Sequence, residues 1–189
     1  MIKKILATAV VASAVLAGNI SYATKEKPVY LDADSKRVAG KLLPTNAIEV
    51  LEELGDRIKF RIEGYQHPDT GSVIYFTDKA RIFSLAFART SNPEMKVIND
   101  SVGDGWSIVS VEAYTTKGDF EDDLEPMFER ASKLYSDNCS MCHSLHTVDH
   151  YNANQWPSTF KSMLDRTPIE KDDVWLITQY LQKHASDMK

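Results

Sequence analysis

The chain has 189 residues, 43% hydrophobic and 26% charged, with 22 Lys and Arg against 27 Asp and Glu. That composition fits one or two globular domains and excludes a membrane-embedded bundle or a disordered tail. The formal charge of −5 argues against nucleic acid or an anionic lipid surface as a partner.

Lys3 and Lys4, the apolar run 5–16 and the small-residue exit Ser21-Tyr22-Ala23 have the three regions of a secretory signal peptide. The expected leader is 1–23, with the mature chain starting at Thr24. Its removal takes away two lysines and no acid, leaving 20 bases against 27 acids, or −7 in place of −5. The apolar run is too short for ~30 Å of hydrocarbon, and no later segment approaches ~18 uncharged residues. The expected location is the periplasm, with no membrane anchor after processing.

Residues 24–120 read as a β-domain. Short strands are expected at 29–31, 38–42, 47–54, 57–62, 73–76, 81–85 and 106–111, clearest where Ile58-Lys59-Phe60-Arg61-Ile62 alternates apolar and charged. Turn residues separate them at Asp32-Ala33-Asp34, Gly55-Asp56, Asp69-Thr70-Gly71 and Gly103-Asp104-Gly105. Several closely spaced short strands suggest a barrel of SH3-like size.

From Glu121 the period becomes helical. Leu124, Met127, Phe128, Ala131, Leu134 and Tyr135 form one apolar stripe, with acids in the first turn, on a helix running into Cys139. A second helix is expected over 152–164, with Pro157 tolerable only in its first turn. A third opens on Thr167-Pro168-Ile169-Glu170 as a capping box and continues through Val174, Ile177, Tyr180 and Leu181 to His184. The expected fold class is thus α+β: a small SH3-like β-barrel domain followed by an all-α monohaem cytochrome c domain over 121–189.

The haem expectation comes from the cysteines. Cys139-Ser140-Met141-Cys142-His143 is the attachment pattern of c-type haem, in which two thiols add to the vinyl groups and the adjacent imidazole reaches the iron. A bridge between Cys139 and Cys142 would close too small a loop to constrain the unfolded chain. A thioredoxin-like pair would sit at the start of a helix after a strand, whereas this pair ends a helix. Structural zinc would need His146 and His150 as its further ligands.

These residues resemble a family. The segment 139–146, the stretch 151–163 around Trp156-Pro157 and the tail 180–188 are similar to the C-terminal monohaem part of the multihaem cytochromes that feed periplasmic trimethylamine-N-oxide reductases. Upstream, Leu31-Asp32-Ala33-Asp34-Ser35, the turn at 50–56, Val73-Ile74-Tyr75 and the Trp106 strand resemble the small β-domain preceding that haem. Those relatives carry a membrane anchor with four haem motifs, whereas this chain has one motif. The resemblance implies a soluble carrier for a molybdopterin oxidoreductase of the S- or N-oxide reductase type. Electrons would come from a membrane quinol-oxidising complex or cytochrome.

One covalently attached haem c is therefore expected, held by Cys139, Cys142 and His143. The sixth iron position decides electron transfer against ligand binding. Met163 follows Trp156 and Phe160 with enough chain to wrap the haem edge, and its thioether would raise the potential; it could equally be core. His150, His184 and an open site are the alternatives, while His146 is set aside as lying within one turn of His143, and Met188 is expected to fray. The function expected is one-electron transfer without catalysis, the alternative being a haem-based gas binder or redox sensor.

Overall fold

Alternation along one long strand organises the molecule. In β5 (Arg57–Gln66) the side chains of Ile58, Phe60 and Ile62 are buried, and the strand is long enough to serve two neighbours in succession on one edge. The computed structural model describes residues 19–189, to which the leader expected over 1–23 contributes only its last five residues.

Nine further strands accompany β5: β1 (Asn19–Ala23), β2 (Lys27–Tyr30), β3 (Gly40–Leu42), β4 (Ala47–Leu54), β6 (Val73–Tyr75), β7 (Phe83–Phe87), β8 (Met95–Gly103), β9 (Trp106–Thr116) and β10 (Phe120–Glu121). They form one antiparallel sheet that closes through β5, β6, β7, β3, β2 and β9 back to β5. Phe60, Ile62, Leu42, Leu85, Val109 and Val111 fill the barrel. Closure is tight at Gly64, where a Cβ would lie 2.6 Å from both Ile74 Cγ2 and the Tyr75 carbonyl oxygen. Strands β4, β1 and β10 continue the sheet from β5, and β8 lies outside β9.

Helices α1 (Glu125–Cys139), α2 (Trp156–Leu164) and α3 (Lys171–Lys183) follow. They overturn the expected fold class. Among the described residues the fold is mostly β-barrel with three short α-helices, and those helices do not make an all-α domain with a core of its own. Ala80 and Ile82, from the segment before β7, join Tyr135, Trp156, Phe160 and Leu181 in one buried cluster. Gln179 and Gln182 of α3, 0% and 2% exposed, face the barrel. There Gln179 donates to the Phe83 carbonyl at 2.8 Å, and Lys183 donates to the Thr45 carbonyl at 2.8 Å and to Asn46 Oδ1 at 3.1 Å. The boundary expected between residues 120 and 121 falls inside β10, which pairs with β1.

Other differences are local. Strand β8 was not expected: it pairs along one edge with β9 and is mostly exposed, so no alternation betrays it. Helix α2 starts at Trp156, which puts Pro157 in the first turn, where its missing N–H costs nothing. Helix α3 starts at Lys171, four residues beyond the expected cap, because Glu170 is extended (φ −65°, ψ 146°) and the Thr167 hydroxyl donates back to the Leu164 carbonyl. The C-terminus does not fray. Met188 packs on the apolar cluster, Asp187 accepts from the Ala153 N–H at 2.8 Å, and Lys189 pairs with Asp149 at 2.7 Å.

Candidate haem-attachment site

Helix α1 delivers the first cysteine. Its buried stripe of Met127, Ala131, Tyr135 and Cys139 recurs at every fourth residue, so the packing that holds the helix also fixes the thiol at its C-terminal end. Cys139 is 8% exposed, and burial pushes its thiol pKa up, the opposite of a thiolate-driven redox pair. Cys142 and His143 lie exposed on the loop that follows. Both thiols are free. His143 Nδ1 lies 2.8 Å from the Ser144 carbonyl oxygen, which can only accept, so the ring proton sits on Nδ1 and the Nε2 lone pair is available. A carbonyl-held imidazole with a bare Nε2 is the arrangement that iron ligation requires. The two free thiols that precede it in sequence, Cys139 and Cys142, complete a donor set that fits haem c.

The loop from 140 to 155 has little regular structure, and side chains hold it. Tyr135, whose phenol burial pushes up to about 12, keeps its proton and donates to the His146 carbonyl at 2.9 Å. Trp156, fully buried and edge-on to Tyr135 and Tyr151, donates through Nε1 to the Val148 carbonyl at 2.9 Å. Gln182 donates to the Ala153 carbonyl at 3.1 Å, and Ser186 to that of Tyr151 at 3.2 Å. From sequence, Trp156 was only a landmark; its role as the loop's anchor is a finding of the structure.

The candidate sixth ligands separate in space. His184 rests edge-on to Phe128 at 4.8 Å with its Nδ1 on the Tyr180 carbonyl, and Phe128 is eleven residues, about 16 Å, from Cys139 along α1. His146 and His150 stack at 4.5 Å, with His146 5.5 Å from His143, so three imidazoles lie in a row on the loop. Among the described residues no three His, Cys, Asp or Glu side chains gather closely enough to hold an ion. Met163 occupies the last turn of α2, half-buried, and is not among the residues packed on the cluster around Trp156 and Phe160.

A profile of the family described as TorC third cytochrome c domain matches residues 15–120, more than half of the chain. The chain belongs to this TorC cytochrome family. The cytochrome c-type protein TorC of Escherichia coli (strain K12) is 30% identical over 181 residues, 93% of this chain and 46% of that protein. TorY of Haemophilus influenzae, another cytochrome c-type protein, is 34% identical over 153 residues, 78% of this chain and 41% of that protein. The chain thus spans about half the length of the curated relatives it matches. No solved structure matches it. The family profile ends at the sheet, whereas an alignment over 93% of the chain necessarily takes in residues 139–143. Membership therefore rests on the barrel, and the attachment motif lies outside the matched unit. No helix among the described residues is long and apolar enough to cross a membrane.

Proposed function

We propose that this member of the TorC family is a periplasmic monohaem cytochrome c that carries single electrons to a molybdopterin oxidoreductase of the trimethylamine-N-oxide or S- or N-oxide reductase type. Its electrons would come from a membrane quinol-oxidising complex or cytochrome. The observation that carries the reading is His143, held on Nδ1 with Nε2 free, directly after two unpaired thiols at attachment spacing. With two cysteines in the whole chain, one haem at most can be attached by two thioethers.

A covalently bound haem c would supply the one-electron couple. The chain's own residues do the rest. Cys139 and Cys142 anchor, His143 provides one axial nitrogen, and Tyr135 and Trp156 hold the loop so that the imidazole keeps its direction. Met163, with a thioether outside the described core clusters, is proposed as the second axial ligand. Electron transfer asks for no catalytic base or nucleophile.

The test is attachment. Pigment from cells with cytochrome maturation machinery should stay with the polypeptide through acid-acetone extraction and denaturing electrophoresis, and Cys142→Ala should weaken or abolish retention. A colourless wild-type chain would defeat the proposal. Ready carbon monoxide binding by the reduced wild type would favour a gas binder over a carrier.

A further inference from the structure

Ser21-Tyr22-Ala23 looks in sequence like the end of a leader, yet the fold uses these residues. Strand β1 lies between β4 and β10, pairing from Asn19 with Val50 to Tyr22 with Ala47 on one edge, and Tyr22 with Glu121 and Ala23 with Phe120 on the other. Ala23 is 0% exposed in the barrel core, and its carbonyl accepts from the Thr45 N–H at 3.1 Å. Tyr22 packs on Met127 and Ala131 of α1 and Leu176 of α3, and Ser21 Oγ donates to Asp122 Oδ1 at 2.9 Å. Five residues thus join barrel, β10, α1 and α3. Cutting after Ala23 would strip β4 and β10 of a partner strand and leave backbone donors and acceptors unpaired on both.

We propose that β1 stays with the exported protein, the processing bond lying on the N-terminal side of Asn19 instead of after Ala23. This rests on the periplasmic reading above for the existence of processing, but its argument is the sheet. A second observation is independent of the coordinates: the family profile begins at residue 15, so the whole of β1 belongs to the matched unit. Small residues of the kind a signal peptidase needs recur just upstream, at Ala17-Gly18. Retention of β1 also makes the N-terminus part of the tie between the barrel and the helix that bears Cys139.

Mass spectrometry of the haem-bearing chain purified from the periplasm reads the terminus, while the pigment reads export separately. The expected mass places the N-terminus at or before Asn19; a mass beginning at Thr24 would overturn the proposal and leave the electron-transfer reading intact. A second variant, full-length Tyr22→Ala, needs no sequencing. If Tyr22 is discarded, the mature variant and wild type are the same molecule and melt together, which would again overturn the proposal. If β1 is retained, the variant melts lower, by about 3 °C or more. The melting comparison needs export but no haem, so it also reads a colourless chain purified from the periplasm, and failure of the haem reading is distinguished from failure of this one.

Discussion

Met163 and Trp156 stand seven residues apart on α2 and have opposite relations to the core. Trp156 is fully buried and hydrogen-bonded, whereas Met163 is half-exposed and outside the described clusters. A methionine committed to packing would lose several kcal/mol on truncation, but one held free for a ligand should not. Met163→Ala should therefore leave the melting temperature of the haem-free chain nearly unchanged, since alanine is also the better helix former. In the haem-bearing protein the same change should abolish the weak near-infrared sulfur-to-iron band of the oxidised state and open reduced iron to carbon monoxide. A band that survives in the variant excludes Met163 and returns attention to the imidazole row. The proposed attachment motif can be picked out from sequence because its chemistry would be local, two thiols and an imidazole within five residues. A sixth ligand cannot be picked out in the same way, because it depends on which side chains the packing leaves free.

At the scale of elements, α3 marks where sequence reading stops. Its apolar stripe of Val174, Ile177, Tyr180 and Leu181 was visible as a helical period, and a helix forms there. Its polar positions carry no such signal, yet Gln179, Gln182 and Lys183 make hydrogen bonds across separations of 96 to 138 residues. Local periodicity carries no information about such pairings, and the same holds for β1 with β10 and for Ala80 and Ile82 in the helical cluster. The strand alternation of β5, by contrast, is local and was read with its buried face. Lys183 offers a measurement at this seam. Burial pulls its pKa down to about 7, although Thr45, Asn46 and the Phe76 ring at 4.2 Å all favour the ammonium. With the folded pKa below the unfolded value of about 10.4, the unfolded chain binds the proton more tightly between those limits. Stability from this group should thus rise as pH climbs from about 7 towards 10, by at most about 1.4 kcal/mol per unit, and stay flat below 7. Subtracting the Lys183→Met variant's melting temperature at each pH isolates the effect. A difference that does not grow with pH would mean that the oxygens and the ring hold the ammonium at its ordinary pKa.

Across the whole molecule the acids are unevenly placed. Residues 121–189 hold 12 Asp and Glu against 7 Lys and Arg. Ion pairs neutralise several: Asp137 with Lys133, Asp173 with Arg130, and Asp149 with Lys189, whose ammonium holds the Asp149 carboxyl down at about 2. Asp172 with Lys25 makes a fourth pair, and the remaining eight acids, Glu125, Glu129 and Asp165 among them, are exposed and in no ion pair among the described residues, so the attractive face is narrower than the count of acids implies. Electron-transfer encounters are small, transient and steered by charge, so the proposed oxidoreductase should present a basic collar to this face. Its second-order rate with the cytochrome should fall as salt rises, most steeply below physiological ionic strength, where the Debye length exceeds about 8 Å. Asp165→Lys, on the turn that ends α2, should slow association roughly 2- to 5-fold at low salt and leave the reduction potential nearly unchanged. Asp149→Lys is the poorer probe: it removes an acid already offset by Lys189 and cuts a contact that holds the C-terminus on the loop. A rate that stays flat across an ionic-strength series, with Asp165→Lys silent, would mean that these acids are simply a solvated face. Contact would then fall on an uncharged surface near Cys142 or on the barrel.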